Sequence, residues 1–352
     1  MNNSETPIID DPVFLSLVDS IKLPLDSITS PIITASCYKD GMYSFMKSNH
    51  KEIVFYDYYL QKEINRVIVQ YPISSYQIID SNHIVCYNYS KNILFKVNLN
   101  GNTLSSYKIM PTIDLFPSPI AKTSPIIVSG DTIIFTGHIG GESHHEKKNN
   151  RPTTGIYDTK KKSIEYSVQY PDIYNKYHFG GSLMRWIYSD YNDSKRTILY
   201  SFPASHYIYE SCIDDISKLN QFYAGSIHIT QIKPMARSKM RAFGSNARNK
   251  YFATTPSYSN ILYDKYNDVY YRIAEQPSSD FDAGSGWHKE ISVIILNNNF
   301  DIIGETYIGV VNPINRYCCF VNEKGLHIME PSNKDENSIA FNIYSIKNKI
   351  DE

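Results

Sequence analysis

Tryptophan occurs only twice in this chain of 352 residues and cysteine only five times, and the cysteines fall into no useful spacing. Cys37, Cys86, Cys212, Cys318 and Cys319 form neither a CxxC pair nor an even disulfide framework, so each reads as a small apolar packing residue. Cys318 and Cys319 are adjacent on a predicted strand, which sends their side chains to opposite faces and excludes a metal or redox pair there. Charge is sparse too. Charged residues make up 20% of the chain and the formal net charge is −1, which leaves no electrostatic footprint for nucleic acid or an anionic membrane. No apolar run approaches the roughly 18 to 20 residues of a membrane-spanning helix. The opening MNNSETPIIDDP lacks the basic region and apolar core of a signal peptide, so the chain reads as soluble. There is no G-x-S-x-G, no ordered Ser, His and Asp set, and no catalytic Cys context. Gly140 and Gly141 make no phosphate loop, because no helix is predicted after them. No cofactor is expected. No helical period of any length stands out.

What the chain has is tyrosine, 30 residues, together with abundant Ile and Val. Tyrosine suits a half-buried strand, since its ring packs while its hydroxyl reaches a polar partner. The stretch 259–308 shows the pattern most plainly, with strand-length runs at 260–263, 269–274, 290–296 and 302–307 separated by polar turn clusters. Four short strands in sequence make one meandering sheet, too small to stand alone, and the rest of the chain repeats it. Copies are read at 76–109, where Asn100-Gly101 marks a hairpin, at 125–168 and at 183–223. A less regular copy covers 42–69, and 317–346 supplies three strands. The missing fourth strand is expected from the N-terminus, near 20–24 or 30–35, closing the ring and removing its open edge. The expectation is a single all-β propeller of four-stranded blades over residues 20–352, six blades favoured over seven, behind a flexible leader at 1–19.

Three segments carry a family resemblance: Tyr263-Asp264-Lys265-Tyr266 leading to Tyr270-Tyr271-Arg272; the strand at 292–296 with Gly304-Glu305-Thr306; and Asn322-Glu323-Lys324-Gly325-Leu326 with Asp335-Glu336 before 339–346. Together they resemble the Bacteroidetes family called domain of unknown function 4221. The likeness spans nearly the whole chain and is densest at 259–346. It implies a propeller-like protein exported to the cell envelope, commonly as a lipoprotein, with no established activity. This chain carries no lipobox, so either a lipid-bearing segment precedes Met1 in the native protein or the protein stays in the cytoplasm. The first is favoured, with the acidic leader as a tether.

His138, Glu142, His144, His145 and Glu146 crowd into nine residues around an insertion at 140–153 and offer nitrogen and oxygen ligands to a zinc-like ion. Their spacing matches no ligand signature, and a solvated polar loop is the simpler reading. Arg185-Trp186, Tyr271-Arg272 and Trp287-His288 set an aromatic beside a charged or ionisable group, which nominates Arg185, Trp186, Arg272, Trp287 and His288 as ligand contacts. A buried Arg272 must find a carboxylate or carbonyls, so a tie between blades competes with that role. The basic connector 231–250 reads as a solvated loop, and the Gly/Ser-rich 278–286 lacks calcium-loop spacing. The leading expectation is a monomeric, non-enzymatic binding or scaffold protein for a glycan, peptide or protein partner. It touches membrane only through a lipid anchor. The rival is a propeller hydrolase or lyase with its site in the central funnel.

Overall fold

The structure is a computed structural model, and it describes residues 13–110, 117–119, 123–139, 152–236, 245–279, 281, 288–311, 318–330 and 337–348. Six four-stranded antiparallel sheets follow one another along it as the blades of a propeller. Blade 1 is Ala35–Lys39, Met42–Met46, Glu52–Asp57 and Lys62–Ile68. Blade 2 is Ser75–Asp80, His83–Asn88, Ile93–Asn98 and Thr103–Lys108. Blade 3 is Ile127–Ser129, Thr132–Thr136, Pro152–Asp158 and Ser163–Gln169. Blade 4 is Tyr188–Asn192, Thr197–Ser201, Tyr207–Cys212 and Asp215–Tyr223. Blade 5 is Ser257–Asp264, Val269–Glu275, Lys289–Leu296 and Ile302–Val311. Blade 6 takes Cys319–Asn322, Gly325–Met329 and Ser338–Asn348 from the end of the chain and its outermost strand, Val13–Pro24, from the beginning.

That shared blade closes the ring, as expected, but with a longer strand. Pairing runs from Val13 opposite Asn348 to Pro24 opposite Ser338, with a bulge between Leu17 and Asp19. Residues 13–19 of the expected leader are therefore sheet, 1–12 lie outside the described residues, and of the alternative closing segment 30–35 all but Ala35, which opens blade 1, is connection. The early part was misread because an outermost strand buries little: Leu17 and Val18 stay 57% and 47% exposed, and polar residues interrupt the apolar pattern. Blade 5 receives the strand closely. Thr306 Oγ1 accepts the Leu15 amide at 2.8 Å, and a Cβ on Gly304 would run into the Val13 carbonyl.

The hydrophobic core lies between the blades rather than inside any one of them. Separate clusters fill the wedges between blades 6 and 1, 1 and 2, 2 and 3, and 5 and 6, and a larger one joins blades 3, 4 and 5. Tyrosine does double duty in these wedges, its ring filling space and its hydroxyl reaching the neighbouring blade. Tyr76 bonds Ser44 at 3.0 Å, Tyr200 accepts from Thr154 at 3.1 Å, and Tyr270 accepts from Asn192 at 2.6 Å. Tyr58 reaches from blade 1 to His327 of blade 6 at 2.6 Å. A buried phenol without such a partner would carry a desolvation cost of about 1–3 kcal/mol, so the ties also fix how blades register.

Two expectations inside the ring need correction. Residues 183–185 belong to a 3-10 turn, Ser182–Arg185, and blade 4 starts at Tyr188 instead. The apolar Leu183-Met184 run that suggested a strand packs this turn against the core. Helices are present as well: a single turn, Ile173–Lys176 (α1), and Ser245–Ala253 (α2). In α2 the apolar Tyr251, Phe252 and Ala253 sit together at one end, so no helical stripe announces it.

Candidate functional site

Up-and-down connectivity sends two kinds of connection to one face of the ring: those between blades and those between a blade's second and third strands. On the opposite face the first turns are tight, such as Asp40-Gly41 and Gly130-Asp131. Only on the first face are the connections long, and there α1, α2, the 3-10 turn and the pair Pro117–Ser118 with His138–Ile139 are found. Functional residues of proteins in general sit disproportionately on such irregular chain held by a rigid scaffold, which makes this the face to search.

Among the described residues, hollows open on this face at three places of note. Two flank α2, about 190 Å³ beside Gly180 and Tyr251 and about 450 Å³ beside Lys233, Met235 and Pro256. The third, about 470 Å³, is a groove between blades 3 and 4. Gln169, Tyr170 and Asp172 come from the end of blade 3 and the start of α1, while Ser205, His206, Tyr207, Tyr209 and Gln221 come from blade 4. Tyr170 and Tyr209 are buried in its floor. The Tyr170 hydroxyl donates to the Arg185 carbonyl at 2.7 Å, and Tyr209 lies 3.3 Å from Ser205 Oγ. Tyr207 is 39% exposed and is held edge-on by Tyr223, with ring centres 5.7 Å apart.

Behind the groove stands Arg272, fully buried on the second strand of blade 5. Its guanidinium donates to Ser201 Oγ and to the carbonyls of Ser205, His206, Ala224 and, more weakly, Tyr207, at 2.7 to 3.4 Å. It also lies over the Tyr258 ring, 3.8 Å from the centroid. Burial pulls its pKa down to about 10, still far above neutrality, so it stays a cation without a carboxylate partner in this network. The Tyr258 hydroxyl accepts the Ser226 amide at 3.0 Å and sits 2.8 Å from His206 Nδ1. The phenol oxygen and Nδ1 share one proton in this contact, which ties the imidazole to the Tyr258–Ser226 pair. Burial, and then repulsion from Arg272, push the His206 pKa down to about 4, so the imidazole is neutral near pH 7.

The residues nominated from sequence do not converge. Arg272 is corrected from ligand contact to blade tie, because a side chain with no exposed surface and a full set of carbonyl acceptors cannot meet a ligand. Arg185 ends the 3-10 turn with its guanidinium 4.8 Å from the Tyr170 ring centre, so it backs the groove floor, and Trp186 follows it half-buried. His288 is exposed at the entry to a blade 5 strand, and Trp287 lies outside the described residues. Of the metal candidates His138 is described, half-buried, its pKa lowered by burial and by Arg185. Glu142, His144, His145 and Glu146 lie outside the described residues. Among the described residues no group of three or more His, Cys, Asp and Glu side chains is placed to hold a metal ion. Also missed was Lys289, wholly buried, donating to Thr255 O at 2.9 Å and Ser257 Oγ at 2.8 Å beside Glu275, with Phe252 of α2 across it at 4.2 Å.

The resemblance-bearing residues prove to be structural. Asp264 accepts the Tyr266 and Asn267 amides and the Tyr271 hydroxyl, which pins the first hairpin of blade 5. Glu305 accepts from Ser226, Ile227 and Ser292, which fastens the connection after blade 4 to the outer strand of blade 5. Gly325 takes a φ of +124° at a spot where a Cβ would strike the Tyr344 carbonyl.

Ring, face and groove together define a six-bladed β-propeller with a hollow on its long-loop side. The chain belongs to the family described as Domain of unknown function (DUF4221), which matches residues 58–307. A member of that family from Bacteroides vulgatus has the same fold, with a TM-score of 0.80 at 22% identity over 96% of this chain and 99% of its own. A Bacteroides fragilis protein whose name describes it as exported aligns with a TM-score of 0.57 at 13% identity, covering 98% of each chain. No curated protein matches.

Proposed function

We propose that this is a non-enzymatic binding protein of the cell envelope and that its ligand occupies the groove between blades 3 and 4. One observation carries the binding half: the groove joins aromatic faces with polar side chains that the protein leaves unused. Gln169, Asp172 and Gln221 are exposed, and among the described residues their side chains make no hydrogen bonds. General acid–base chemistry needs a pair of groups able to exchange protons near neutrality. His206 offers no such exchange, since Nδ1 is occupied and its pKa is low. The envelope half is supported by the exported relative from Bacteroides fragilis. Among the described residues no helix is long and apolar enough to cross a membrane, and anchoring through lipid on a segment ahead of Met1 fits this placement.

The test has two arms. Tyr207→Ala and Gln221→Ala change exposed groove residues, so both should fold as the wild type. Ligand arrays of glycans and peptides should give a hit lost in both variants, and a broad hydrolase and lyase screen should give no turnover. Turnover abolished by either variant would overturn the binding reading in favour of an enzyme. For location, cells fed a labelled fatty acid and then fractionated should yield labelled protein that remains with membranes after a salt wash. Unlabelled protein in the cytosol would refute the envelope reading.

A further inference from the structure

The groove's chemistry narrows what it holds, provided that the binding reading above is right. Charge is nearly absent from its walls. The Arg272 cation is sealed behind Tyr258 and spent on carbonyls, His206 is neutral, and Asp172 is the one formal charge at the rim. An anionic ligand would meet a carboxylate and no exposed cation. An extended peptide normally adds to a free strand edge through backbone bonds. Here the facing outer strands are tied at one point, Ser167 Oγ of blade 3 donating to the Ile216 carbonyl of blade 4, so a strand added between them would have to break that tie.

What remains is an array of side chains around an aromatic face. Gln169 and Gln221 each present an amide with two donors and an acceptor, Asp172 accepts only, and the neutral His206 ring donates or accepts through Nε2 according to its tautomer. Tyr223 holds the Tyr207 ring in an edge-to-face pair, Tyr207 stays 39% exposed toward a flat apolar partner, and Tyr209 closes the floor. A pyranose ring matches this pattern, with C–H bonds on one face and, around its rim, hydroxyls that donate and accept at once. The volume of about 470 Å³ falls within the roughly 300–1,000 Å³ of small-molecule sites. We infer that the groove is a subsite for a neutral oligosaccharide, stacked on Tyr207 and bonded through its hydroxyls by Gln169, Asp172, His206 and Gln221.

Calorimetric titration of the whole protein tests this with maltohexaose, cellohexaose, xylohexaose and mannohexaose as neutral probes, trigalacturonate as an anionic probe and a hexapeptide library. At least one neutral sugar should bind, at least about tenfold more weakly to Tyr207→Ala, as expected for loss of an aromatic stack. Gln221→Ala should weaken it as well, whereas Tyr177→Ala, an exposed tyrosine outside the groove, should not. Both groove variants sit on exposed positions, and matching melting temperatures will show that they fold. Failure of every neutral sugar at millimolar concentration, tighter binding of trigalacturonate, or sugar binding indifferent to Tyr207→Ala overturns the inference. Peptide binding lost in the same variants would overturn the sugar while leaving the binding groove standing. If no probe responds to the groove variants, both readings fall.

Discussion

Replacing Arg272 by methionine should be among the most damaging single changes available to this protein. The side chain is fully buried, and its donors satisfy the carbonyls of Ser205, His206 and Ala224 at 2.7 to 3.1 Å, with Tyr207 at 3.4 Å. Methionine has similar reach and removes the cost of burying a charge, but it donates nothing. Replacing both members of a buried polar pair can be neutral; stranding one member is not. The Ser205 and Ala224 carbonyls left dry at about 1–3 kcal/mol each, while the His206 carbonyl keeps the Ala224 amide, give a loss of roughly 2–4 kcal/mol after the relieved desolvation is credited. Whole-protein stability is typically about 5–15 kcal/mol, so the variant should unfold at much lower denaturant or not accumulate. Urea unfolding followed by tyrosine fluorescence measures this directly. Arg272→Lys keeps a cation over Tyr258 with only one nitrogen in place of three, and should lose roughly half as much. A methionine variant within about 1 kcal/mol of wild type would refute the reasoning, because it would mean that water or a rearranged loop satisfies those carbonyls.

Two other outcomes follow from the same structure. Gly304→Ala sets a methyl group against the Val13 carbonyl and should loosen the closing strand, costing several kcal/mol and opening residues 13–24 to proteolysis. Gly130→Ala, at φ +60° with nothing within 4 Å, should cost only about 1–2 kcal/mol of left-handed strain, and equal losses in the two variants would sink the closure argument. Acid should destabilise the fold between about pH 6.5 and 4. His206 and His327 are both held near 4 chiefly by burial, so as pH falls the unfolded chain takes up protons first and gains up to about 3 kcal/mol per residue, less for the half-exposed His206. The Asp190 carboxyl, raised by burial to about 6, acts in the opposite sense: its folded form holds a proton that the unfolded chain has lost, so acidification restores stability there. Asp190→Asn should therefore steepen the acid loss seen in melting curves, and a flatter curve would contradict the assignment.

The ring was legible in the sequence because its strands are short, its turns polar and its tyrosines placed to pack. The inner strands were harder. Ala35–Lys39 was missed altogether, and Tyr188–Asn192 was displaced toward the more apolar run before it. First strands approach one another around the axis, so they are rich in small and polar residues such as Ser189, Asn192, Ser259 and Asn322, and they lack the apolar run that marks a strand elsewhere. The groove left no trace at all. Its two walls lie some fifty residues apart in sequence, on blades 3 and 4, and each side chain alone reads as an ordinary exposed polar or aromatic residue on a strand. Of the aromatic and charge pairs that did look like a site, Tyr271-Arg272 is a tie, because the same chemistry that binds a ligand also binds one blade to the next.

That overlap explains why family membership says so much about the fold and so little about the ligand. Asp264, Arg272, Gly304, Glu305 and Gly325, which carry the resemblance, pin a hairpin, anchor the loops of blade 4, admit the closing strand, and fit a tight turn against Tyr344. Each depends on a backbone partner or a dry interior, so a change at any of them acts through stability. The groove residues Gln169, Asp172, Tyr207 and Gln221 bear none of those motifs and are exposed, so their replacement costs the fold little. Arg272 is where the two sets meet. It holds the carbonyls of Ser205, His206 and Tyr207 from behind, which fixes the chain on which the groove side chains stand, without touching whatever the groove takes. On the proposed binding reading, a propeller organised this way can change ligand by substitution on blades 3 and 4 while the closing blades stay as they are.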